Sequence, residues 1–232
     1  MRVQLENIWR EWRGFVVFIA VMLVFRSAIA DWNQVPSGSM VPSIYIGDRI
    51  VVDKLAYDLR IPFTQVSIAR WADPARGDVV TFPSPADEKL LVKRVVGIPG
   101  DVVELKDNEL HINGVIAHYE ILPADVSASV PIDDRFRYQL LQESILGDER
   151  RIMLHAPLYR SSIGTFGNFG PVEVPSGHFL VMGDNRDNSR DSRIIGFISR
   201  DRIMGRARTV AFSLDYDNYY QPRLDRFFAT LP

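Results

Sequence analysis

The chain has 232 residues, 47% of them hydrophobic and 24% charged, which suits one globular domain or a core domain with an insertion and excludes a long disordered chain. A formal net charge of −2 supplies no overall field for gathering nucleic acid. Cysteine is absent, which excludes disulfides, thiolate metal sites and a cysteine nucleophile but leaves the compartment open, because an exported protein can lack it.

Gly14 to Phe25 (GFVVFIAVMLVF) is an uncharged apolar run followed by Arg26 and the small-residue stretch Ser27 to Ala30. As a helix, Gly14 to Ala30 would be about 25 Å long, at the short end of what spans a bilayer. Arg26 lies near one end, where its stem can snorkel. Trp9, Trp12 and Trp32 flank the run as interfacial aromatics do, and Arg2, Arg10 and Arg13 before it place the amino terminus in the cytoplasm. A cleavable signal peptide ending at Ala28-Ile29-Ala30 has similar features. Glu6 and Glu11, which dilute the positive charge, and Arg26, which interrupts the path to a cleavage site, favour a retained anchor. The expected layout is a cytoplasmic segment 1–13, a transmembrane anchor 14–30, and the rest of the chain outside.

Next comes Pro36-Ser37-Gly38-Ser39-Met40, two hydroxyls on either side of a glycine, a pattern that turns commonly carry. Gly47-Asp48 and Arg76-Gly77-Asp78 each lead into β-branched residues, Arg49 to Val52 and Val79 to Phe82, and read as turn then strand. Between them Leu59 to Trp71 carries Pro62, Phe63, Ile68 and Trp71 without a clear period. It fits either a loop that dips into a membrane surface or a satellite core cluster.

Leu90 to Val96 is an apolar run broken only by Lys93-Arg94. Period two puts Leu91, Lys93 and Val95 on one face and Val92, Arg94 and Val96 on the other, so one basic residue points each way. Asp101 to Lys106 and Glu109 to Ile112 form strands about an Asp107-Asn108 turn, with Asn113-Gly114 a second hairpin signal. From Val115 to Pro175 the pattern loosens, with a possible helix at Arg135 to Ile145, and the segment reads as an insertion of low functional content. Order resumes with a strand at Gly177 to Met182, which delivers the chain into an Asp/Asn/Arg-rich stretch, Gly183 to Arg193. A strand at Arg202 to Phe212 and an aromatic tail with Tyr219, Tyr220, Phe227 and Phe228 close the chain. Many short strands between Gly-Asp turns predict a mainly antiparallel β fold.

A serine hydroxyl needs a base to become a nucleophile, and histidine is the usual one. His111, His118, His155 and His178 sit in ordinary strand or loop contexts. Lys93 is the other option. Its amine serves near neutral pH only if burial lowers a pKa of about 10.4 by roughly 2–3, at a cost of about 3–4 kcal/mol. On the residues alone, a lysine snorkelling at a sheet edge accounts for the pattern equally well. The stretch Asp184 to Arg193 holds three Asp and three Arg. It lacks the alternating acids and central glycine of a calcium loop, and a self-neutralising hydrogen-bond and ion-pair network fits it better.

With the serine pentapeptide, Lys93-Arg94 and Gly183 to Arg193 in this order, the sequence resembles the bacterial type I signal peptidases, membrane-bound serine endopeptidases that remove signal peptides from exported proteins. The likeness runs from about Phe15 to Phe228 and is weak in the middle. It implies a Ser-Lys dyad in which Ser39 is the nucleophile and Lys93 the general base. It also implies an oxyanion hole of the Ser37 hydroxyl and the Ser39 backbone N–H, and it makes Ser189 the group that orients the amine. Asp184, Asp191, Arg193 and Arg94 would support the site. The family cleaves after small residues in an Ala-X-Ala pattern and holds its substrate as an extended strand. Val35, Pro36, Met40, Ile44, Leu91 and Val92 would line the substrate pocket, while Asn33 stands where an apolar or aromatic residue is common.

The implied fold is a barrel-like, mainly antiparallel β catalytic domain of residues 31–114 and 176–232, with 115–175 inserted and one transmembrane helix before it. The implied setting is the bacterial cytoplasmic membrane, single-pass, with the catalytic domain on the outer side. Signal-peptide-bearing preproteins and the lipid bilayer are the expected partners. Neither metal nor organic cofactor nor nucleic acid is expected, and a monomer is the working state. The rival readings are a relative that matures one dedicated substrate, a catalytically silent membrane-tethered β module, and a soluble self-cleaving repressor, which the anchor disfavours.

Overall fold

The computed structural model describes residues 2–132, 135–160 and 167–231, with side chains from Trp12 onward except at 129, 135 and 160. The expectations placed on Arg2, Glu6, Trp9, Arg10 and Glu11 therefore lie outside the described side chains. The chain opens with helix α1 (Arg2–Ala28). Phe15, Val17, Phe18, Val21 and Leu23 on it are exposed. Among the described residues no helix is long and apolar enough to cross a membrane.

Strands follow: β1 (Ala30–Gln34), β2 (Asp48–Asp53), β3 (Asp58–Arg60), β4 (Ser67–Arg70), β5 (Val79–Pro83), β6 (Leu90–Gly97), β7 (Val102–Lys106), β8 (Glu109–Ile112) and β9 (Val115–Ile116). The middle of the chain gives β10 (His118–Ile121), helix α2 (Ala124–Ser129), β11 (Tyr138–Ile145), β12 (Asp148–His155), helix α3 (Pro157–Arg160) and β13 (Phe169–Glu173). Last come β14 (His178–Met182), helix α4 (Ser192–Ile195), β15 (Ile198–Ser199), β16 (Gly205–Asp215) and β17 (Gln221–Pro222).

The main sheet runs β1-β2-β16-β5-β6-β14-β15, with β17 beside β16. Its ladders are antiparallel throughout. The expected barrel-like closure is not there. Among the described residues β1 pairs with β2 alone and β15 with β14 alone, so the sheet keeps two edges. A four-stranded sheet, β13-β7-β8-β9, and a three-stranded one, β10-β11-β12, stand beside it.

β6 pairs with β5 along one edge and β14 along the other, and its residues from Lys93 to Gly97 are buried, with Val95 and Val96 packed into apolar clusters on opposite faces, while Leu90 to Val92 are not fully buried. Burial on both faces explains why the run reads as continuously apolar. It also removes the edge-lysine alternative, since Lys93 is 3% exposed on an internal strand. The possible helix at Arg135 to Ile145 is another correction. Tyr138–Ile145 is strand β11, where Leu141, Glu143 and Ile145 alternate inward, and a buried Glu among apolar residues hid the period of two. Leu59 to Trp71 is no satellite core: β3 and β4 form a two-stranded ribbon, and Ile61, Phe63, Val66, Ile68 and Trp71 are exposed.

Candidate active site

After β1 the chain makes a single turn of 3-10 helix, Gly38–Met40. Apolar packing fixes it, because Met40 and Ile44 are buried with Val35, Ile50, Val52 and Val79 in one cluster on which Val92 packs. From β6 the Lys93 side chain reaches this turn: Nζ is 2.6 Å from Ser39 Oγ and donates to the Val92 carbonyl at 3.0 Å. Burial pushes the Lys93 pKa down to about 8, with Asp191 and Asp184 pulling the other way and Arg193 adding to the lowering. Once the amine is neutral, the Ser39 hydroxyl can donate to its lone pair, the geometry of proton abstraction.

Ser37, extended at φ −135° and ψ 154°, precedes the turn, and its exposed hydroxyl caps none of the turn's N–H groups. Pro36 beside it is exposed. Of the expected pocket walls, Val35, Met40, Ile44 and Val92 come together in the cluster just described. Leu91 does not join them and packs against Tyr57, Val80, Phe82 and Val95.

Arg94 forms a bidentate pair with Asp184, Nε to Oδ1 at 2.9 Å and Nη2 to Oδ2 at 2.8 Å. The same guanidinium donates to the Gly77 carbonyl and to Ser43 Oγ. Asp191 accepts from Arg193 Nε and Nη2, both at 2.8 Å, and from the Gly183 backbone N–H at 2.9 Å. Burial pushes the Asp191 carboxyl up, but Arg193 and the Gly183 N–H outweigh it and hold the group below the usual carboxylate range. Ser189 is buried against Gly183, and a Cβ at Gly183 would collide with Ser189 Oγ and the Ser39 carbonyl. Only glycine therefore lets the loop approach the serine turn this closely. The hydrogen bonds of the Lys93 amine go to Ser39 and Val92, not to Ser189. The histidines lie elsewhere: His111 in β8, His118 in β10, His178 in β14, and His155 stacked on Tyr138 beside Asp187.

A family model described as signal peptidase, peptidase S26, matches residues 9–212. The chain belongs to this family. It is similar to a signal peptidase I of Pseudomonas fluorescens, 35% identical over 213 residues, covering 87% of this chain and 71% of that protein. A signal peptidase I of Pseudomonas aeruginosa is 31% identical over 226 residues, with the same two coverages of 87% and 71%. A crystal structure of a signal peptidase I from Enterococcus faecalis V583 is 28% identical and covers 58% of this chain and 97% of that one, with a TM-score of 0.34.

In this signal peptidase family member, residues that sequence reasoning passed over also meet the serine turn. The Asn185 backbone N–H donates to the Ser39 carbonyl at 3.1 Å, and its side-chain Nδ2 donates to the Gly38 carbonyl at 3.0 Å. Arg186 forms two bonds to Glu143 of β11, at 2.7 and 2.6 Å, and Arg150 of β12 adds a third at 2.6 Å. All three of these side chains are buried. A carboxylate with two guanidiniums is no sequence motif, because Glu143 and Arg186 lie far apart along the chain.

Proposed function

We propose that the chain removes amino-terminal signal peptides from exported preproteins, cutting after small residues by a Ser-Lys dyad. The contact that carries this reading is Lys93 Nζ at 2.6 Å from Ser39 Oγ, with the amine buried and its pKa near 8. Ser39 Oγ attacks the carbonyl carbon of the scissile bond while its proton passes to Lys93 Nζ. The Ser39 N–H and the Ser37 hydroxyl stabilise the oxyanion. The Lys93 ammonium then protonates the leaving amine, and the neutral amine activates the water that hydrolyses the acyl-enzyme. Asp184, Asp191, Arg193, Arg94 and Ser189 keep the site in register, and Val35, Pro36, Met40, Ile44 and Val92 limit the side chains admitted before the cut. No step calls for a metal or cofactor.

The setting proposed with it is a bacterial cytoplasmic membrane, with 1–13 inside, 14–30 as the anchor and the catalytic β domain outside, interrupted by 115–175. Two features support this: the exposed apolar side chains of α1 and the exposed ribbon β3–β4, whose Phe63 N–H donates to Ser27 Oγ at 2.6 Å at the end of that helix. The deciding experiment is cleavage of a preprotein carrying an Ala-X-Ala site by detergent-solubilised protein, beside its Lys93→Ala variant. Cutting after the final Ala by the wild type alone upholds the reading. Equal cutting by both removes Lys93 as the base, and cutting by neither favours a dedicated substrate or a silent module.

A further inference from the structure

We infer that Asn185 is a positioning residue that aims the oxyanion-binding N–H of Ser39, and that the inserted strands β11 and β12 hold it in place. The inference rests on the function proposed above. The Gly38 carbonyl and the Ser39 N–H belong to one planar trans peptide unit and point in opposite directions, so fixing one fixes the other. The Asn185 Nδ2–H grips that carbonyl at 3.0 Å. The backbone N–H of the same residue grips the next carbonyl, that of Ser39, at 3.1 Å. The Gly38 carbonyl also accepts from the Val41 N–H at 3.2 Å within the turn, so Asn185 adds the second bond to that plane and the bond from its backbone N–H to the plane after it. The turn cannot hold the Ser39 N–H itself, because the first N–H groups of a helical turn have no partner within it. A donor aimed before the reaction at the position of the developing charge lowers the barrier without reorganisation.

Asn185 is 3% exposed and is set from outside the main sheet. Met153 of β12 donates its N–H to the Asp184 carbonyl at 2.8 Å and accepts from the Arg186 N–H at 3.0 Å, which pairs Met153 and Asn185 as a parallel bridge. The next residue carries the Arg186–Glu143 pair, and the His155 N–H donates to Asp187 Oδ2 at 2.7 Å. Every residue from 184 to 187 is therefore tied either to the insertion or to the nucleophile's turn. The insertion acts on the reaction through Asn185.

The test uses the full chain in detergent with an Ala-X-Ala preprotein, comparing wild type, Asn185→Ala and Asn185→Asp. The aspartate keeps the volume and the backbone N–H but loses the Nδ2 donor. We expect kcat to fall about 10- to 100-fold in both, short of or reaching the loss from deleting an oxyanion donor outright. KM should stay within about 2-fold, and in Asn185→Ala, which adds no charge, the alkaline rise near pH 8 should stay in place. A peptide boronic acid ending in Ala, whose adduct with Ser39 Oγ places an oxygen in the hole, should lose affinity by the same factor as kcat. Variants with kcat within about 2-fold of wild type overturn the inference. So does a fall in kcat with boronate affinity unchanged, which marks a merely structural role. A wild type that leaves the preprotein intact overturns the function proposed above and this inference with it.

Discussion

Lys93 carries a charge that the fold makes costly, and the pH at which it sheds that charge follows from its surroundings. Its pKa is near 8 against an ordinary 10.5, so the proposed general base is mostly protonated at neutral pH. We expect kcat/KM to rise about tenfold per pH unit below about 8 and to level above it. A profile already flat from pH 6 would assign the proton elsewhere. The depressed value also has a stability sign. Below about pH 8 both folded and unfolded chains hold the proton and the full penalty applies, whereas between about 8 and 10.5 the folded chain alone releases it and the penalty fades. Lys93→Met should therefore be inactive yet more stable below pH 8 by up to about 3 kcal/mol, and denaturant titrations should show the difference closing as pH approaches 10.5. A variant less stable than wild type at pH 7 would mean that the amine is not destabilised by burial. Much of this was legible beforehand, because Leu91 and Val95 flank Lys93 on its own face. That Lys93 lies on an internal strand was not legible, since strand order depends on partners far along the chain. Asn185 escaped notice for a different reason: it acts on backbone carbonyls, which leave no side-chain motif.

Among the elements, the strands announced by turn chemistry were the easiest to find. Asp107, Asn108, Asn113 and Gly114 all take positive φ, as tight hairpins between twisted strands require, and β7, β8 and β9 follow from them. The middle of the chain was harder, because β11 and β12 pack a charged cluster where a period-two reading looks for apolar residues. Burial pushes the Glu143 carboxyl up, yet Arg186 and Arg150 outweigh it and bring its pKa down to about 2 from an ordinary 4.5. The stabilisation this represents is fully present above about pH 4.5 and is lost as pH falls through about 2. Removing the charge with Glu143→Gln leaves two buried guanidiniums without an anion, a change that typically costs about 3–5 kcal/mol. We expect a lower Tm for that variant and a smaller drop in stability on acidification than the wild type shows, both readable by circular dichroism. A Tm within a degree or so of wild type would show that the cluster does not clamp β11 to the Asp184–Asp187 loop.

For the whole molecule, the proposed membrane setting turns on how α1 and the β body are joined. The end of α1 is fastened to it at several points. Lys54 Nζ donates to the Arg26 and Ser27 carbonyls at 2.8 and 3.2 Å, and Arg26 pairs with Asp31 and lies 4.3 Å over the Trp32 ring. A cation on the last carbonyls of a helix satisfies acceptors that the helix leaves open. The ribbon joins at the same place through the Phe63 N–H and Ser27 Oγ, so the exposed Phe63 lies at the end of α1, and Ile68 and Trp71 of the same segment are exposed as well. Each large apolar side chain moved from water into lipid contributes about 1.5–3 kcal/mol, enough for a few of them to hold a domain at an interface in addition to a helical anchor. The full chain should co-float with liposomes. A chain lacking residues 1–28 should float only in part, and Phe63→Ser with Trp71→Ser in that shortened chain should release it. Complete release on removing 1–28 alone would confine membrane contact to the helix, and a full chain that stays at the bottom of the gradient would remove the anchor.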